Sequence, residues 1–162
     1  MRSLLLAAAV AVGVFLVLLL RPGGGEKDAK GPAGSAGAAE LVAWKDPAAA
    51  PAPGTAAVLY DFTADWCGPC RRLDREVFSD PGIAADVNRR FVAVRVLDRE
   101  REEGRNSPAV EALQRRFRVD AFPTLVVATP EGWRDFRGFA GKDATREFLE
   151  GKGGAELHAW VP

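Results

Sequence analysis

Cys67 and Cys70 are the only cysteines of this 162-residue chain, and both lie in the stretch "DFTADWCGPCRR", Asp61 to Arg72. Two sulfurs at this spacing suit three chemistries: a structural staple, a metal clip or a redox dithiol. On a helix, residues three apart share a face with Cβ atoms about 5–6 Å apart, whereas a disulfide needs about 3.5–4.5 Å. A slightly tightened first turn closes that gap, so the bond can form and break without moving the fold. As a staple it is poor, because the benefit of a crosslink grows with loop length and this loop is minimal. Zinc usually takes four ligands, and the chain adds one histidine, His158, far away in sequence. Two thiolates suffice for copper(I), which keeps a copper-binding assembly chaperone as an alternative; otherwise no metal site is expected. A redox pair needs an activated thiol, and unpaired N–H groups at a helix N-terminus stabilise a thiolate. Cys67 sits at that end, so it is expected to be the more exposed sulfur and the nucleophile. Cys70, one turn deeper, is then the thiol that resolves a mixed disulfide.

The elements that position this pair follow from periodicity. Val58–Phe62 reads as a short apolar strand interrupted by Asp61, six residues before Cys67. A carboxylate there is expected to be desolvated, with a raised pKa suited to proton transfer; the alternative is an edge-strand Asp facing water. "CGPCRRLDREVF" reads as one helix, with Leu73 and Val77 on one side. Asp80-Pro81 and Ser107-Pro108 each read as a cap followed by a first-turn proline. Residues 91–97, 124–129 and 133–139 read as strands, and Asp143 as the cap of a last helix through Leu149. The charged run 98–106 reads as a solvated loop, and 40–46 as a short strand or edge segment. The order β-α-α-β-α-β-β-α predicts an α/β fold, a mixed sheet with helices on both faces.

The N-terminus has a different character. Ser3–Leu20 carries no charge, and at about 1.5 Å per residue a helix of that length spans most of a bilayer core. It is longer than the roughly 7–15-residue apolar region of a signal peptide, and no Ala-x-Ala site lies close behind it. The expectation is an uncleaved single-pass anchor, with a cleaved signal and a soluble periplasmic domain as the alternative. The segments are then 1–21 anchor or signal peptide, 22–54 flexible linker and loop, 55–151 folded domain and 152–162 tail. Lys+Arg and Asp+Glu are both 22, and this balance argues against nucleic acid as a partner.

"DFTADWCGPC" followed by "AFPTLVV" resembles thioredoxin. The longer run "DFTADWCGPCRRLDREVFSDPGI", with "RFRVDAFPTLVV" and "RGF" after it, is similar to the C-terminal thioredoxin-like domain of the transmembrane disulfide reductase DsbD. The resemblance implies a thioredoxin fold over about residues 56–150 and a redox disulfide between Cys67 and Cys70. It matches Asp61 to the buried acid that moves the resolving cysteine's proton, and Asp74 to a second acid, which is otherwise an exposed helix charge. It implies a cis Phe122-Pro123 bond facing the cysteines. The substrate groove is then bordered by Trp66, Gly68, Pro69, Phe122, Pro123 and Thr124, with the backbone of Phe122 and Thr124 open to an extended substrate. Gly138 reads as a close-approach glycine, and His158 as a solvated tail residue. The thioredoxin strand lysine has no clear counterpart, since Arg95 is out of phase by simple alternation. The implied activity is reduction of protein disulfides, with oxidation or isomerisation as the alternative. No cofactor is implied. The implied partners are protein disulfide substrates, a membrane or periplasmic electron donor of DsbD type and, through the anchor, the membrane. The chain itself is expected to be a monomer, with its domain on the periplasmic side.

Overall fold

Seven consecutive buried residues, Val58–Ala64, form β1, the strand that the rest of the fold is built around. The computed structural model describes residues 41–52 and 54–160, so the expected anchor and most of the expected linker lie outside the described residues. Among those described, no helix is long and apolar enough to cross a membrane.

β1 leads through Cys67 into α1 (Gly68–Leu73), which runs on as a π-helical turn over Asp74–Phe78. Sequence periodicity shows one helix here; the structure widens its second half by a residue per turn. α2 (Pro81–Arg90) starts at Asp80, whose carboxylate accepts from the Gly82 and Ile83 N–H groups. β2 (Val92–Asp98) follows, then one turn of helix, α3 (Glu100–Glu103), closed by Gly104 in the left-handed region. α4 (Pro108–Arg116) is capped by Ser107. β3 (Thr124–Thr129) and β4 (Gly132–Arg137) form a hairpin, and α5 (Lys142–Leu149) completes the order. Gly141, not Asp143, stands at the N-cap of α5, and Asp143 falls within its first turn.

The sheet order is β2-β1-β3-β4, parallel between β1 and β2 and antiparallel elsewhere. Because β1 is interior and both sheet faces are covered, it needs no polar alternation. Leu59, Leu125 and Val127 face α1, the π-helical turn, α2 and α5 through Leu73, Val77, Ile83, Val87 and Phe148. Tyr60, Phe62, Val94, Val96 and Val126 face the opposite way, onto Val110 and Phe117 at the two ends of α4.

The edge segment expected within 40–46 meets the sheet, and two further stretches differ from the sequence expectation because a polar or aromatic side chain finds a buried partner. Val42 is buried in the core, Trp44 packs edge-on against Phe78, and Lys45 bridges to Val94 on β2, so contacts with the sheet begin ahead of residue 55. The charged run after β2 is tied down at both ends, since Asp98 accepts from Asn106 at 2.6 Å and from Gln114 at 2.7 Å. His158 is not a solvated tail residue: it pairs with the backbone of Trp133, stacks 4.1 Å from its ring and lies 3.4 Å from Asp135. Trp160 follows it inward and donates its indole N–H to the Thr129 carbonyl.

Candidate active site

Cys67 is the N-cap of α1, and its Sγ accepts the Cys70 N–H at 3.2 Å. The local sequence explains the geometry: Gly68 and Pro69 are the first helical residues, and proline is tolerated there because its missing N–H would have no helical partner. The sulfurs of Cys67 and Cys70 are joined in a disulfide, with Cα atoms 5.3 Å apart. The loop they close is the short one that spacing called for. Cys67 is not the more exposed of the two: it is 2% and Cys70 3% exposed, and both pack with Ala64 and Phe122.

The surface around the disulfide comes from neighbouring elements. Trp66 is 45% exposed and meets Phe122 edge-on, with ring centroids 6.0 Å apart. The Arg101 guanidinium, from α3, lies 5.5 Å from the Trp66 ring centre. Gly68 is half-buried and Pro69 exposed, whereas Pro123 and Thr124 are buried. The Phe122-Pro123 peptide is cis, as the resemblance implied. Thr124 is enclosed rather than open to a substrate: it pairs with Phe62 and Arg137 across the ladders, and its hydroxyl donates to the Ala121 carbonyl. Gly138 has open space where a side chain would begin, so close approach does not explain it. Its φ of 78° does, and its N–H donates to the Pro123 carbonyl.

Beneath the helix, Asp61 is 1% exposed, so the water-facing alternative does not apply. Its register partner on β2 is Arg95, whose Nη2 lies 3.3 Å from the Asp61 carboxylate and 2.6 Å from that of Asp74. Arg95 is therefore in phase with Asp61, against the sequence expectation. Alternation fails as a guide here because both faces of the sheet are covered and neither is the polar one. The usable signal was different: Asp61 and Arg95 are the charged interruptions of two adjacent apolar strands. Trp44, in the stretch that reads as a short strand or edge segment, has no role that the sequence singles out; its ring centre lies 4.4 Å from the Arg95 guanidinium.

A family model described as a thioredoxin-like domain matches residues 45–151. This chain belongs to the thioredoxin-like family. Its Cys67-Cys70 disulfide at a helix start carries the chemistry of thiol–disulfide exchange. Among curated proteins, it is 34% identical over 82 residues to thiol:disulfide interchange protein DsbD 1 of Pseudomonas aeruginosa, covering 49% of this chain and 13% of that one. It is 31% identical over 70 residues to protein disulfide-isomerase 5-2 of Arabidopsis thaliana, covering 43% of this chain and 14% of that one. The chain thus spans about an eighth of the length of these relatives. The oxidised C-terminal domain of DsbD from Neisseria meningitidis superposes with a TM-score of 0.47 at 23% identity, covering 62% of this chain and 83% of that chain.

Proposed function

We propose that this chain is a membrane-tethered thiol–disulfide oxidoreductase that reduces protein disulfides on the periplasmic side of the cell membrane. The observation that carries the redox reading is the hydrogen bond from the Cys70 N–H to Cys67 Sγ, since the same donor stabilises a thiolate once the disulfide opens. In the proposed cycle the Cys67 thiolate attacks a substrate disulfide, forming a Cys67–substrate bond and releasing one substrate thiolate. Cys70 gives its proton to Asp61 and attacks Cys67. The Cys67–Cys70 bond then forms, the mixed disulfide breaks, and the second substrate thiolate leaves. The substrate gains two electrons and the dithiol loses them. A second dithiol of DsbD type, at the membrane, restores the reduced pair.

Trp66, Gly68, Pro69, Phe122 and Pro123 border the proposed substrate groove, and Thr124 supports it from within the sheet. The long apolar run at Ser3–Leu20 supports the tether, and the similarity to DsbD supports both the compartment and the donor. A second reading, oxidation or isomerisation of disulfides, is favoured by the likeness to a protein disulfide-isomerase. Insulin reduction driven by a small dithiol tests the first reading, and turnover abolished by Cys67→Ser is the expected result. No turnover together with tight copper(I) binding would contradict it. An equilibrium potential near the thioredoxin value of about −270 mV supports reduction, whereas one near the DsbA value of about −120 mV reverses the direction.

A further inference from the structure

Among the described residues, Arg118 is the only one other than glycine whose backbone enters the left-handed region, at a φ of 52°. A side chain in that region persists where its surroundings over-determine it, and such places cluster at functional sites. Arg118 opens the segment that runs from the end of α4 to the cis Phe122-Pro123 peptide beside the disulfide. Both ends of this segment are tied to neighbours. At the start, the Val119 N–H donates to the Gln114 carbonyl at 2.9 Å. At the far end, the Thr124 hydroxyl donates to the Ala121 carbonyl and the Gly138 N–H to the Pro123 carbonyl, both at 2.8 Å.

Arg137 holds the middle. It is the last residue of β4 and the cross-strand partner of Thr124, and its three guanidinium nitrogens go to three different partners. Nη1 donates to the Asp120 carboxylate, Nη2 to the Arg118 carbonyl at 3.1 Å and Nε to the Asp135 carboxylate at 2.7 Å. Asp135 stands two residues earlier on β4, so it shares a sheet face with Arg137. The Asp120 side chain is 79% exposed, and such a pair alone contributes little. The Asp135 side chain is 15% exposed, and it fixes the plane of the guanidinium. A planar fork fixed in this way can hold a carboxylate and a backbone carbonyl together, which a single ammonium cannot.

From this geometry we infer that Arg137 is a positioning residue for protein substrates: it clamps the loop Arg118–Phe122 and thereby sets the Phe122 wall of the groove against the cysteines. This rests on the exchange cycle proposed above and specifies what holds its substrate edge in place. Phe122 is the residue through which the loop reaches the site. Its side chain packs with Cys67 and Cys70 and meets the Trp66 ring edge-on. A loop released from Arg137 therefore moves one wall of the groove relative to the sulfur that attacks. A protein substrate, held along that wall, feels the movement as weaker binding, whereas the exchange of sulfurs within the bound complex is left to the cysteines themselves.

The test is steady-state reduction of insulin by the full chain, driven by a small dithiol, for wild type, Arg137→Leu and Arg137→Lys. Arg137→Leu is expected to lower kcat/KM by about tenfold, inside the roughly 10²-fold that a misplacement of about 1 Å can cost. The loss should lie in KM and not in kcat, as loss of uniform binding does. Arg137→Lys keeps the charge without the fork and should show a smaller rise in KM. Combined with Phe122→Ala, the Arg137→Leu effect should shrink, since the wall it positions is then gone. Full additivity of the two overturns the inference, and so does a wild-type KM in an Arg137→Leu protein of native thermal stability. If Arg137→Leu does not fold, a wild-type KM in Arg137→Lys overturns it. Nitrogen NMR relaxation needs no turnover: residues 119–122 should show order parameters of about 0.85 in the wild type and lower values in the variants. Wild-type values below about 0.6, or variants as rigid as wild type, overturn the clamp. If the wild type reduces no insulin, the exchange cycle itself is wrong, and the relaxation data still decide whether Arg137 sets the loop.

Discussion

At the residue scale, the proposed chemistry depends on a carboxylate that water does not reach. Asp61 is buried on the sheet face that α1 covers. Asp61→Asn keeps the shape and removes the proton acceptor. It is expected to slow release of the mixed disulfide by about 10²-fold, the lower end of what a positioned acid–base group contributes, while formation of that disulfide by Cys67 changes little. Stopped-flow mixing of the reduced protein with a disulfide substrate separates the two steps. The cysteines and Asp61 were legible in the sequence because type and spacing alone restrict their chemistry. Arg95 was not, because its phase depends on which strand lies beside β1. Trp44 was not, because the stretch 40–46 is too short for periodicity to place its side chains.

At the element scale, most local signals were readable and most long-range pairings were not, the misplaced cap of α5 being a local exception. The caps at Asp80 and Ser107 and the first-turn prolines behind them were readable, since each satisfies its own helix end. The π-helical turn, the α3 turn and the inward-folded C-terminal segment were not, since each rests on contacts made far away in sequence. Phe117, fully buried just past α4, shows what those contacts are worth. It packs against Tyr60 with ring centroids 5.0 Å apart, Trp133 at 5.3 Å and Trp160 at 6.4 Å, joining β1, β4 and the C-terminal segment. Phe117→Ala is expected to lower unfolding stability by about 3–5 kcal/mol, read from urea denaturation. An effect below about 1 kcal/mol would mean that the aromatic cluster does not bear on the fold.

At the scale of the whole molecule, two helices on the same sheet face, α2 and α5, are held to one another by charges that titrate. Asp80, at the start of α2, is bonded to Lys142 of α5 at 2.5 Å. That bond, with the Ile83 N–H, lowers its pKa from 3.8 to about 2. A carboxyl depressed on folding contributes stability that is complete above its unfolded pKa and lost as pH falls toward the folded one. The contribution should therefore fade between about pH 4 and pH 2. Tyr60 works at the other limit. Burial raises its pKa above 10.0, so its contribution is complete below that value and is lost as pH climbs through the folded one. Thermal unfolding across pH should show both losses, and Asp80→Asn should remove the acidic one alone. An Asp80→Asn profile identical to wild type below pH 4 would mean that the Asp80–Lys142 contact does not link the two helices in solution.

The central claim is that Cys67 attacks and Cys70 resolves, and a trapped intermediate tests it most directly. Cys70→Ser, reduced and exposed to protein disulfides, is expected to accumulate mixed disulfides through Cys67, detected by non-reducing electrophoresis and located by mass spectrometry. Cys67→Ser should accumulate none. Adducts on Cys70 in the Cys67→Ser protein, with none on Cys67 in the Cys70→Ser protein, would contradict the account.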